Sequence, residues 1–240
     1  MIKNFKLKIK NYTKTPQGWN PVADWYDGWV GEKGSIHHTK LAIPAVLELL
    51  VPKPGEKILD IGCGQGVLAQ YIVSAQALYT GIDVSERLVK IAQNRKIPQA
   101  NFIVGDARKL NLSGFDAAVM LLSIQDMDPL EDVIKSVAKA VKVGGRLIIF
   151  MNHPAFRIPR QSGWGWDEGR KLQYRRIDQY LSESRVKIQM HPGDKPEEET
   201  VSFHRPLQFY FKALTKNKLL VSRFEEWTSN KKSEKGPRAE

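Results

Sequence analysis

The residues best placed for chemistry fall in a few short stretches: Ile58–Gly66 (ILDIGCGQG), Gly81–Ser85 (GIDVS), Gly105–Ala107 (GDA) and Phe115–Ile124 (FDAAVMLLSI). Gly62, Gly64 and Gly66 are spaced G-x-G-x-G, not the G-x-G-x-x-G of dinucleotide sites. Glycines there allow backbone angles other residues avoid, and let a ligand approach the main chain. A purely structural turn would ask for the same glycines. The acids around the loop add to the case. Asp60 precedes it, where a carboxylate can hold nearby amides or face a bound cation. Asp83 stands 17 residues after Gly66 and can accept both hydroxyls of a ribose. Asp106 can accept from an adenine amino group while Ala107 offers a backbone amide. A pyrophosphate would be repelled by such acids; a cationic, phosphate-free adenosine compound would not.

These residues need elements to hold them. Lys57–Ile61, Leu78–Asp83, Asn101–Gly105, Phe115–Ile124 and Arg146–Met151 read as strands. Phe115–Ile124 is apolar on both faces, as a buried parallel strand is. Between them lie helical stretches: VLAQYIVSA, then ERLVKIAQNRK with Ser85 as N-cap, then Pro129–Lys142 closed by Gly144-Gly145. Leu41–Leu50 is a further helix ahead of the first strand. Alternation of this kind predicts an α/β fold: a doubly wound, mostly parallel sheet with helices on both faces, and ligands at the carboxyl ends of the strands. The rhythm breaks over residues 155–200, where KLQYRRIDQYL reads as helical. It returns with a helix near Pro206–Lys218 and a strand near Leu219–Trp227; Glu199–His204 is a candidate second strand. The expected organisation is a basic arm (1–19), a core with a helical cap (20–154), a substrate-covering insertion after the fifth strand (155–200), and a segment completing the core with a basic tail (201–240).

In this order and spacing, ILDIGCGQG, GIDVS, GDA and FDAAVMLLSI resemble the successive motifs of class I S-adenosylmethionine (SAM)-dependent methyltransferases, over residues 40–152. The flanking stretches Val22–His38, His153–Glu168, Leu172–Leu181 and Ser202–Leu207 resemble a type 11-like subgroup of that superfamily and bring no substrate with them. The resemblance implies a Rossmann-like fold with SAM as cofactor and S-adenosylhomocysteine as product. It implies that Gly62, Gly64 and Gly66 pack on the methionine part, Asp83 binds ribose, Asp106 reaches adenine and Asp60 lies near the methionine amino group. Val84, Ala107, Leu122 and Tyr26 complete the expected cofactor contacts. Cys63 reads as a small spacer between glycines and not as a nucleophile, having no activating partner nearby in sequence.

Methyl transfer from a sulfonium needs an aligned nucleophile, exclusion of water and sometimes a proton acceptor. His153, His204 and Asp126 are the candidate catalytic groups. His37, Arg157, Arg160 and Trp164 are candidate substrate contacts, the arginines as clamps for an anionic group and Trp164 as a stacking surface. Each has an ordinary structural reading too: a hydrogen-bonded histidine, an arginine paired with Asp167 or Glu168, a packed tryptophan.

Composition narrows the classes. The 240 residues include 37 Lys and Arg, 26 Asp and Glu and one Cys, for a net charge of +11. A hydrophobic share of 42% supports a sizeable core. One Cys excludes a disulfide framework and a multi-thiolate zinc site, and no metal is expected. No apolar run approaches the roughly 20 residues of a membrane span. The opening MIKNFKLKIKNYTK lacks the apolar stretch of a secretory signal, so the expected setting is cytoplasmic. The excess charge sits in residues 1–19, with five Lys and no acid, and in residues 151–240, with 18 basic and 12 acidic residues; residues 20–150 balance at 14 each. That distribution favours a small-molecule methyl acceptor over RNA or protein, since no Asn-Pro-Pro-Tyr type motif, Pro-Cys pair or RNA-binding module accompanies it. A non-catalytic adenosine-binding regulator is the rival of another class. An NAD-dependent oxidoreductase fits the glycine spacing less well. Oligomeric state is not readable.

Overall fold

The computed structural model describes residues 18–156, 162–191 and 195–228. Arg157, Arg160 and most of the N-terminal arm lie outside the described residues. The chain enters through α1 (Ala23–Val30) and a π-helical turn (His38–Ala42) that runs into α2 (Ile43–Leu50). Pro44 sits in the first turn of α2, where its missing N–H costs nothing. There follow β1 (Lys57–Ile61), α3 (Ala69–Ser74), β2 (Leu78–Asp83), α4 (Glu86–Asn94), β3 (Ala100–Val104), β4 (Phe115–Leu121), α5 (Leu130–Ala140) and β5 (Val141–Phe150).

The five strands form one parallel sheet in the order β3-β2-β1-β4-β5. Successive residues serve opposite faces. Ile58, Ala117, Val119 and Leu121 pack with α2, α3 and α4, whereas Leu59, Ile61, Ala118 and Met120 pack with α5. Helices on both sides explain why β4 is apolar throughout. Strand order reverses between β1 and β4, so the crevice at their carboxyl ends is where such a sheet takes its ligand. Ser85 caps α4 as expected, its Oγ accepting from the Leu88 amide at 3.2 Å.

Two expectations need correction. Residues 171–181 do not form a helix: β6 (Ser162–Asp167) and β7 (Leu172–Ile177) make an antiparallel hairpin. Pairing with the alternating Gly-Trp-Gly-Trp of β6 overrides the helix propensity of Leu, Gln and Arg. Tyr174 lies over Gly165, where a side chain would collide with its ring. Residues 219–227 are not a strand either; they cross the surface without regular pairing, joined to the core through Arg223–Glu48 and Trp227–Phe150. Glu199–His204 is extended, but within β9 (Lys195–His204), which pairs with β8 (Ser184–His191) and not with the main sheet. Among the described residues β5 is therefore the sheet's edge. The regular ladder on β5 starts at Arg146, opposite Ala117; the residues before it join across a bulge. The last helix, α6 (Leu207–Lys216), matches expectation and packs on α5. No described helix is long and apolar enough to cross a membrane.

Gly62 closes the junction between β1 and the turn after β4. Its φ is +72°, and a Cβ there would lie 2.5 Å from Ser123 Cβ and 2.8 Å from Met127 Cε. Gly64, at φ +55°, has Tyr26 Cε1 as its nearest such neighbour, 3.7 Å away. Gly62→Ala is expected to cost roughly 3 kcal/mol in urea unfolding, from strain plus overlap. Gly64→Ala should cost about 1–2 kcal/mol, from backbone strain alone. Equal losses would show that the contact with Ser123 is not what demands Gly62.

Candidate cofactor and acceptor site

β1 delivers Asp60 to the crevice. Its carboxyl is 2% exposed; Oδ2 accepts from the Tyr79 hydroxyl at 2.7 Å, and Oδ1 has no hydrogen-bond partner. Burial pushes its pKa up to about 7, against the Tyr79 bond and with help from the charge of Asp83. The loop after β1 is tied to β2 by the Gly62 and Cys63 amides, which both donate to Ile82 O at 2.8 and 3.1 Å. Asp83 ends β2 and is buried. Its Oδ2 accepts from the Gly64 amide at 2.9 Å and its Oδ1 from the Ser85 amide at 2.8 Å. Burial raises its pKa too, while the amides of Ser85, Gly64 and Val84 oppose the rise. Three amides leave about one of the four lone-pair positions of the carboxylate for a hydroxyl donor. Val84 leaves its side chain exposed.

The three loop glycines differ in what they face. Gly62 and Gly66 are pressed against protein, Gly66 against the Phe102 ring, where a Cβ would come within 2.6 Å. Only Gly64 is open toward the crevice. Cys63 is buried with its thiol pKa raised, by burial first and then by Asp60 and Asp83. A thiol so held is a spacer at neutral pH.

At the tip of β3, Asp106 opens a 3-10 turn (Ala107–Lys109) and is gripped by Arg108. At the tip of β4, Leu122 adopts φ +56° and donates its amide to Phe150 O at 2.7 Å. The next turn, Ile124–Asp126, places Asp126 deep in the crevice with part of its surface open. Burial raises its pKa to about 7, the Ser202 hydroxyl bond opposing and the Asp83 charge adding. Ser202 comes from β9, which packs on this turn. Tyr26 arrives from α1, its ring beside Gly64 and backed by Trp19 at 5.1 Å. Its hydroxyl is held neutral by burial and by Asp126 and Asp83. The cap is pinned to α4 by Asp27–Arg95 at 2.8 Å, by Asp24–Arg87, and by Asn20 Oδ1, which accepts from Ser85 Oγ at 2.7 Å. Asp60, Asp83, Asp126, Gly64 and Tyr26 thus converge, and Asp106, Ala107 and Leu122 lie on neighbouring tips.

The histidines behave differently. His153 follows β5, and its Nδ1 accepts from the Ala155 amide at 3.1 Å, which leaves the ring proton on Nε2, 3.0 Å from Glu226 Oε1. Gln125 and Asn152 exchange two hydrogen bonds, of 3.2 and 3.0 Å, and so join the tips of β4 and β5. His37 is exposed, 6.3 Å from the Phe150 ring, which stacks on Trp227 at 6.0 Å. His204 is 4% exposed, and its Nε2 donates to Tyr180 O at 2.9 Å. Trp164 stands apart: 56% exposed, with the Arg175 guanidinium 5.2 Å over its ring. Tyr79, Ser202 and Arg108 were not singled out from sequence. Ser202 alone left a signal, in the alternation of Thr200, Ser202 and His204 along one strand face.

Residues 58–145 match the methyltransferase domain family. Over 82% of this chain and 87% of its own, the crystal structure of an S-adenosylmethionine dependent methyltransferase from Mesorhizobium loti is similar, with a TM-score of 0.68 and 25% identity. The chain carries a class I SAM-dependent methyltransferase domain. Among curated proteins, a demethylmenaquinone methyltransferase of Corynebacterium kroppenstedtii is 31% identical over 137 residues, 53% of this chain and 58% of that protein. An O-methyltransferase of Aspergillus nomiae is 35% identical over 103 residues, 40% of this chain and 46% of its own. The chain therefore spans about half the length of the curated relatives it matches.

SAM is the cofactor of this family, and the residues of this methyltransferase domain fit it. The unpartnered Asp60 Oδ1, in the field of Asp83, calls for a donor or a cation. Asp83 keeps a free acceptor position beside the Gly64 amide.

Asp60 and Asp126 have folded pKa values near 7, above the roughly 3.9 of an unfolded aspartate. The unfolded chain gives up these protons first, so the ligand-free protein should lose stability as pH rises from about 4 to 7. A sulfonium in the crevice lowers both values. SAM binding at pH 7 is then expected to release more protons than binding of S-adenosylhomocysteine, which lacks that charge. Calorimetry in buffers of different ionisation enthalpy measures the difference, and equal release would contradict it.

Proposed function

We propose that this chain methylates a small-molecule acceptor, with Asp126 receiving the acceptor's proton. The observation that carries the reading is the double cover over Asp126: the Ser202 hydroxyl of β9 hydrogen-bonds it, and the Tyr26 hydroxyl of the cap lies near enough to feel its charge. An acid closed in from two elements suits a compact acceptor better than a polymer. SAM, when bound, supplies an electrophilic methyl group. Asp60, Asp83 and the Gly64 main chain are proposed to hold it, with Asp106 and Ala107 at the adenine end. Tyr26 shields the crevice from water and stays an un-ionised donor.

Asp126 suits proton transfer because a carboxyl titrating near 7 can both take and return a proton at neutral pH. His153 has both ring nitrogens engaged and His204 donates to a carbonyl, so both are assigned to positioning. Asp126 also bears a negative charge, when ionised, that would draw a cationic acceptor or steady a hydroxyl donor. His37, beside the buried Phe150 on which the exposed Trp227 stacks, is proposed to border the acceptor.

The acceptor can be sought by incubating the protein with SAM and metabolite fractions, reading methylated products by mass spectrometry. With an acceptor in hand, Asp126→Asn should lower kcat by about 100- to 1000-fold, while the dissociation constant for S-adenosylhomocysteine moves little. Wild-type kcat/KM for the acceptor, with SAM saturating, should rise with pH as Asp126 ionises, at a midpoint below the value of about 7 that the ligand-free crevice imposes, and the variant should lose that limb. A variant with wild-type kcat would remove Asp126 from the reaction.

A further inference from the structure

Asp60 takes its side-chain hydrogen bond from Tyr79, a residue outside the glycine and acid motifs. β1 and β2 pair in register, with Ile58 opposite Tyr79 and Asp60 opposite Gly81. Tyr79 and Gly81 stand two apart on β2 and so share a face. The Tyr79 side chain runs along that face over Gly81. A Cβ on Gly81 would lie 2.9 Å from the Tyr79 hydroxyl oxygen and 2.8 Å from Cys63 Sγ. The missing side chain leaves the lane by which the hydroxyl reaches Asp60 Oδ2, at 2.7 Å. The Tyr79 ring is 1% exposed, and Phe102 of β3 backs it at 5.5 Å, so the hydroxyl is fixed in place.

The bond serves one oxygen of Asp60. Oδ2 has its donor, whereas Oδ1, equally enclosed, has none. A buried oxygen in that condition calls for a donor from outside the chain. The hydroxyl also favours the ionised carboxyl, against burial. Burial keeps Tyr79 itself protonated, and so a donor. The titratable groups acting on Asp60 are Tyr79 and Asp83, both from β2. The Cys63 thiol, from the loop, feels its charge, and Asp126, from the turn after β4, shares the field of Asp83. β4 itself sets Val119 opposite Asp60.

We propose that Tyr79 is a positioning residue for the amino-acid end of the cofactor: by holding Asp60 Oδ2 it leaves Oδ1 to accept from the α-ammonium group, directly or across one water. Tyr79 thereby sets how well the crevice distinguishes the cofactor from adenosine thioethers that carry no amino-acid end. The inference rests on the reading of the crevice as a SAM site.

The test is calorimetric titration with S-adenosylhomocysteine and with 5′-methylthioadenosine, which lacks the amino-acid end. Tyr79→Phe removes one oxygen from a buried ring. It is expected to bind S-adenosylhomocysteine about five- to tenfold more weakly than wild type, with methylthioadenosine affinity unchanged. In wild type the ratio of the two affinities should climb with pH and level off near 7, where ligand-free Asp60 has ionised. In Tyr79→Phe it should level off at higher pH, because the bond favouring the carboxylate is gone. Asp60→Asn should also lose S-adenosylhomocysteine affinity, and adding Tyr79→Phe should then take away little more. Equal losses for both compounds in Tyr79→Phe would mark a structural role only and overturn the proposal. So would an unchanged affinity ratio, or losses from Tyr79→Phe and Asp60→Asn that simply add. If wild type binds neither compound, the SAM reading itself falls. Equal binding of the two by wild type removes only the role of Asp60 and Tyr79 at the amino-acid end.

Discussion

The crevice at the carboxyl ends of the strands is built on a costly arrangement: Asp60, Asp83 and Asp126 are held within one another's field in surroundings that disfavour their charge. Each is raised in pKa mainly by burial, and the charge of Asp83 acts on both of the others. Buried acids are normally neutralised, paired or fully hydrogen-bonded. Asp83 has its amides, but Asp60 keeps one oxygen with no donor. A positive group in the crevice would relieve that cost, and a sulfonium is such a group. The same physics disfavours a pyrophosphate and so separates this site from a dinucleotide site on a similar sheet.

The rest of the fold keeps these acids in place. β1 and β2 run in register, so Asp60 and Asp83 reach the same edge, and the Gly64 amide crosses the gap between loop and strand tip. The missing side chains of Gly62 and Gly66 let β4 and β3 close in beneath the loop. Two elements outside the sheet, one before it in the chain and one after, cover the crevice. The cap is pinned through Arg87 and Arg95, and β9 is braced by the buried Arg205, which pairs with Asp128 and lies 3.8 Å from Glu183. Asp128 sits two residues beyond Asp126, so the brace that fixes the hairpin also fixes the turn carrying the acid.

Much of this was legible because backbone demands leave marks in sequence. β1 carries its acid one residue before its end and β2 ends on one, where apolar runs meet glycines, and their bounds coincide with those read from sequence. The five-strand rhythm and the crevice followed from alternation. Tertiary contacts were less visible. The stretch LQYRRI carries helix-forming residues, and only its pairing with SGWGWD makes it a strand. LLVSRFEEW is apolar enough for a strand, yet its contacts are side-chain anchors to α2 and β5. The grip of Arg108 on Asp106, two residues apart, depends on a 3-10 turn that sequence does not announce. Burial, which moves Asp60 and Asp126 toward neutrality, is a property of everything packed around them.

The most direct test is a crystal structure of this chain with S-adenosylhomocysteine. The account predicts ribose hydroxyls on the Asp83 carboxylate, the amino-acid end over Gly64 toward Asp60 Oδ1, and the Tyr26 ring against the ligand. A ligand bound away from the carboxyl ends of β1 and β2, or Asp60 Oδ1 satisfied by the chain itself with the crevice closed, would contradict it.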